Sequence, residues 1–121
     1  MHKTAVVASH TPATAAAAAD MYVIVDWHIL KDGNPLDHIE EASEFFRMIS
    51  EKYKDCPNIL YEICNEPNGD TTWADIQSYA GEIIPIIRKQ DPDSVILVGT
   101  PDFDRDLMVA ARSPLPFDQV M

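Results

Sequence analysis

The stretch Asn65-Glu66-Pro67-Asn68 places a carboxylic acid between an amide donor and a residue that stiffens the chain just after it. That pattern suits general acid–base work. Cleavage of a glycosidic bond needs a carboxylic acid to protonate the departing oxygen, then the same group as a base to activate water. A Glu at a strand end, sheltered by aromatic walls, can be held protonated for that purpose. Asn65 offers an amide N–H to a sugar 2-hydroxyl, a contact that strengthens as charge develops on the ring. Asp26-Trp27-His28 is a second polar cluster and Thr100 to Phe103 a third. His28 offers a hydrogen bond there, and Trp27 a flat apolar surface of the kind sugars use.

These clusters follow three apolar runs. Tyr22 to His28, Ile59 to Cys64 and Val95 to Val98 are short, β-branched and aromatic, as strands buried on both faces are. Between the first two, Lys31 to Pro35 reads as a turn and His38 to Lys54 as a helix. Ile39, Ala42, Phe45, Phe46, Ile49 and Tyr53 line one face of that helix. Asp37 and Glu40 resemble a capping pair at its start. A second helix spans Trp73 to Lys89, with Pro85 expected to kink it. A weaker helix runs from about Asp104 to Arg112, and Phe117 to Met121 could open a fourth strand.

The strand starts recur about every 36 residues, with helices between. Such alternation means βαβ units and a parallel sheet, either an open doubly wound sheet or part of an eight-stranded (β/α) barrel. Periodicity does not choose between them. In both, functional loops lie at the carboxyl ends of the strands, where all three polar clusters fall. None of these loops is a Gly-rich phosphate cradle, which leaves nucleotide binding without support.

The chain has 121 residues and a formal charge of −11, from 20 acidic against 9 basic residues. That excess argues against nucleic acid and against an anionic membrane surface as partners. No apolar run approaches the roughly 18–20 residues of a membrane span. The Ala-rich segment 1–20 lacks the apolar core of a signal peptide, so none is expected within it. Cys56 and Cys64 form neither a disulfide framework nor a zinc spacing, and no metal or cofactor is called for.

Taken together, Tyr22 to His28, Tyr61 to Gly69 and Val95 to Pro101 closely resemble successive strands of glycoside hydrolase family 5, in particular its bacterial endo-β-1,4-glucanases. Ile29 to Pro35 and Ile83 to Arg88 resemble the same subgroup. The resemblance covers residues 21–121 and implies a partial (β/α)8 TIM barrel, its third to fifth βα units, with 1–20 an N-terminal segment of uncertain structure.

By the resemblance, Glu66 is the acid/base, Asn65 its sugar-binding neighbour, and His28 and Trp27 line the cleavage subsite. Phe103 is the candidate sugar-stacking aromatic, although Asp102 to Arg105 departs from the family pattern. The family's nucleophile, a second Glu, is expected beyond Met121. The early-strand Arg typical of the family has no counterpart here. The implied activity is retaining hydrolysis of β-1,4-glucan, extracellular, in the full-length context. The rival expectation is a truncated, non-catalytic remnant with weak or no carbohydrate binding. Open strand edges imply self-association of the isolated chain. Glu62 shares the strand parity of Glu66 and is expected to face the barrel interior as a structural residue.

Overall fold

The computed structural model describes residues 11–121. Its elements are helix α1 (Thr11–Ala18), strand β1 (Val23–Asp26), a 3-10 turn (Pro35–His38), helix α2 (Ile39–Lys52), strand β2 (Ile59–Glu62), helix α3 (Trp73–Gln90), strand β3 (Val95–Leu97) and a short helix (Leu107–Arg112). Residues 1–10 of the Ala-rich segment, with His2 and His10, lie outside the described residues; its later part is α1, whose run of alanines is the strongest helix-forming composition.

The strands form one parallel sheet in the order β1-β2-β3. Val25 pairs with Tyr61 and Asp26 with Glu62, while Tyr61 pairs with Ile96 and Glu62 with Leu97. Side chains alternate across a strand, so this register sorts the sheet into two faces. One carries Val25, Tyr61 and Ile96, all buried beneath α2 and α3. The other carries Ile24, Asp26, Leu60, Glu62, Val95 and Leu97, which are only partly covered. Glu62 therefore lies on the face that becomes the interior of a closed barrel, as its parity requires.

The core is aromatic at its centre. The ring of Phe46 meets Phe45 edge-on at 5.1 Å and Tyr61 at 6.5 Å. Ile76, Ile83, Ile84 and Ile87 of α3 are fully buried. Tyr79 is buried with them and donates its hydroxyl to the Ile63 carbonyl at 2.6 Å, anchoring α3 to the end of β2.

Several local expectations are corrected. The chain enters α2 through the 3-10 turn, where the Asn34 side chain accepts the Leu36 N–H at 3.0 Å, and His38 provides no side-chain cap. The expected Asp37–Glu40 pair is thus displaced by a cap three residues earlier. Helix α3 begins on a full capping box between Thr72 and Asp75. It runs unbroken through Pro85, whose ring lies on the exposed side where its missing N–H is least costly. The short helix after β3 starts at Leu107 rather than Asp104, because residues 102–104 take left-handed backbone angles. At the chain's end, Val120 forms a parallel bridge with Ile96, and the Val98 N–H reaches the Met121 carbonyl at 2.8 Å. A fourth strand is begun there.

Candidate active site

The hydrogen-bond ladder continues past the strands to the polar loops. Trp27 N–H donates to Glu62 at 3.0 Å, Asn65 N–H to Trp27 at 3.3 Å, and Ile63 N–H to Leu97 at 3.0 Å. Glu66 follows one residue beyond the last of these bonds. It is exposed, with φ at +28°, a left-handed backbone rarely taken outside glycine. Pro67 behind it is fully buried.

Two side-chain amides fasten this loop to the loop after β1. Asn65 Nδ2 donates to the Ile29 carbonyl at 3.3 Å, which uses one of its two amide hydrogens. Asn68 Nδ2 donates both to the Leu30 carbonyl at 3.0 Å and to the Glu66 carbonyl at 2.9 Å. Its backbone N–H reaches the Gly33 carbonyl at 3.1 Å. A Cβ at Gly33 would stand 2.7 Å from the Asn68 carbonyl oxygen, and φ there is +37°, so this crossing requires glycine. Asn68 was part of the motif but carried no assigned role; its amide side chain was the available signal.

His28 and Asp26 share the sheet face that carries Glu62. His28 Nδ1 is 2.6 Å from Asp26 Oδ2. With Nδ1–H donating to the carboxylate, the imidazole is oriented and Nε2 is left to face other groups. Burial pushes the Asp26 carboxyl above its usual range, against the hydrogen bond and charge of His28, which pull it down. Glu62 is likewise raised, first by burial and then by the charges of Asp26 and Asp104, with Glu66 adding and His28 opposing. The strand ends thus gather Asp26, His28, Glu62, Glu66 and Asp104 within electrostatic reach of one another.

Trp27 does not join them. It is 7% exposed and its ring packs against Phe45 at 5.3 Å, on the helix-facing side of the sheet. Strand alternation sends it opposite to Asp26 and His28. The expected sugar surface at Trp27 is corrected to a core contact. Phe103 stands at the rim, 48% exposed, with the Arg105 guanidinium 5.6 Å from its ring centre. Asp104, absent from the expectations, stands next to Phe103; nothing in the local composition announces the left-handed turn that delivers it.

Residues 5–121 match the model of the cellulase family, glycosyl hydrolase family 5. The chain belongs to that family. It is 52% identical over 107 residues to Endoglucanase A of Butyrivibrio fibrisolvens, covering 88% of this chain and 24% of the relative. It is 55% identical over 85 residues to Endoglucanase E-5 of Thermobifida fusca, covering 70% and 18%. The crystal structure of the catalytic domain of that organism's endoglucanase Cel5A superposes with a TM-score of 0.85 at 43% identity, covering 93% of this chain and 39% of that one. A variant of the same domain, in complex with cellotetraose, matches with a TM-score of 0.81 at 44% identity over 87% and 36%. The chain therefore spans about a quarter or less of the curated relatives it matches. As a family 5 chain it is a partial TIM barrel, and its three loops lie at the carboxyl ends of its strands.

Proposed function

We propose that this chain contributes the acid/base half of a retaining endo-β-1,4-glucanase site, with Glu66 as proton donor to the leaving glycosidic oxygen and then as base towards water. The observation that carries the reading is the setting of Glu66. It is exposed one residue past the ladder, held from behind by buried Pro67 and Asn68, with Asn65 before it. Asn65 donates its second amide hydrogen to a sugar hydroxyl, the oriented His28 lines the same subsite, and Phe103 stacks at the rim. The nucleophile, required about 5–5.5 Å from the acid/base in a retaining site, comes from outside these residues. The substrate is a cello-oligosaccharide or β-glucan chain of the kind bound by the Thermobifida relative. A polymer of that size places the enzyme's work outside the cell.

The test restores a barrel by grafting residues 21–121 into the Thermobifida catalytic domain in place of the aligned stretch. Glu66→Gln in that chimera should lower kcat/KM about 10²–10⁴-fold on cellobiosides with poor leaving groups and much less on activated aryl cellobiosides, whose departure needs no proton. Undiminished hydrolysis of the poor leaving groups would remove Glu66 from the role. For the chain alone, titration calorimetry with cellotetraose separates weak binding from none. Among the described residues, β1 pairs only with β2, and Tyr22 just before it and Ile24 within it are 74% and 52% exposed. The isolated chain is expected to self-associate there; a monomer whose thermal transition ignores concentration refutes that.

A further inference from the structure

Asp102, Phe103 and Asp104 have φ values of +57°, +57° and +63°, three consecutive non-glycine residues in the left-handed region. Each costs on the order of 1–2 kcal/mol relative to ordinary backbone, so the surroundings must hold the turn in place. Three contacts do so. The Phe103 N–H donates to the Pro67 carbonyl at 2.9 Å, the residue immediately after Glu66. Asp104 Oδ1 accepts the Thr100 N–H at 3.0 Å. Gly99 lets the two loops meet: a Cβ there would stand 2.6 Å from Asp104 Oδ1, 2.6 Å from Pro67 Cδ and 2.9 Å from the Cys64 carbonyl oxygen. The neighbouring Arg105 is engaged elsewhere, paired with Asp102 at 2.7 Å.

We propose that Asp104 is a positioning residue for Glu66: the left-handed turn that carries it is strapped to the carbonyl of Pro67, the residue after Glu66, and brings a second carboxylate within electrostatic reach of the acid/base. The proposal rests on the reading of Glu66 given above. Partial burial raises the Asp104 carboxyl, the Thr100 hydrogen bond lowers it, and the charge of Glu66 raises it further. The other charged or titratable groups in reach are Glu62 on β2, Cys64 just beyond it, and, at the end of β1, Asp26 with its partner His28. The strap also limits how far the Glu66 loop can move when substrate arrives.

Carboxyl-detected NMR titration of the full 121-residue chain tests the charge, and amide exchange tests the strap. Glu66→Gln should lower the titration midpoint of Asp104, and Asp104→Asn should lower that of Glu62. Asn tolerates the left-handed angle and keeps an acceptor for Thr100, so Asp104→Asn should leave Phe103 amide exchange unchanged. Asp104→Ala removes the acceptor and should speed that exchange about fivefold or more. If Asp104→Ala does not fold, Gly99→Ala replaces it, since the added Cβ pushes on the same carboxylate. An Asp104 midpoint indifferent to Glu66→Gln, or Phe103 exchange indifferent to the loss of the acceptor, overturns the proposal. Neither readout uses catalysis, so either failure leaves the acid/base assignment standing, and loss of that assignment in the chimera leaves these couplings intact.

Discussion

At the scale of single residues, what was readable depended on whether chemistry and neighbours lay in one short stretch. Asn65, Glu66 and Pro67 are contiguous, and the structure sets them at the end of β2 as their order demands. His28 and Asp26 were readable by alternation, and the same alternation should have sent Trp27 to the core; grouping three adjacent residues as one cluster ignored the period of two. Asp104 was not readable, because its place depends on a left-handed turn held by Pro67 and Gly99 from other segments. Cys64 illustrates burial acting on a single group. It is fully buried and its thiol is pushed up to about 12, so at neutral pH it stays protonated and shielded. A maleimide added to the native chain should modify the partly exposed Cys56 and spare Cys64. Labelling of both before unfolding would contradict the packing of β2.

At the scale of elements, the strands and the two long helices were legible from periodicity, while their ends were set by capping and by proline. The Thr72 side chain accepts the Asp75 N–H at 3.2 Å, and Asp75 Oδ2 accepts the Thr72 N–H at 2.9 Å. Thr72→Ala should cost about 1 kcal/mol, read as a lower denaturation midpoint at constant m. Pro85 lies on the exposed side of an unbroken α3, and it deprives the Gly81 carbonyl of its donor. Pro85→Ala should restore that bond and stabilise the chain by about 1–3 kcal/mol, the lower end reflecting the freer unfolded chain. A destabilised Pro85→Ala chain would mean that the ring packs against a neighbour. The helix continues past the proline, and its neighbours on the buried face, Ile83, Ile84 and Ile87, hold it to the core on both sides.

At the scale of the whole molecule, acidity and burial act together. Asp26, Glu62, Asp91 and Asp104 are all raised, each chiefly by burial, while Asp75 alone is lowered, by its bonds to Thr72. A raised carboxyl binds its proton more tightly in the folded chain than in the unfolded one. Stability therefore falls as pH rises from the ordinary carboxylate range through the raised values, and is regained on mild acidification. The formal charge of −11 works in the same direction. Melting followed by circular dichroism should give a higher Tm near pH 5 than near pH 8, and Glu62→Gln should narrow the difference. A Tm that rises steadily from pH 5 to pH 8 would contradict the shifts. The parallel sheet and its βα order were legible at this scale, but the choice of barrel over open sheet came from motif content, since three strands alone fit either. One feature of the ladder bears on accuracy. The last backbone bond of β2's extension is that of Asn65, and the carboxylate that must meet a substrate oxygen hangs from the very next residue. Leverage grows with the length of an unsupported arm. Here the arm is a single peptide, so thermal wobble of the loop is scarcely amplified at the tip, and the sheet itself serves as the reference surface against which the acid is aimed.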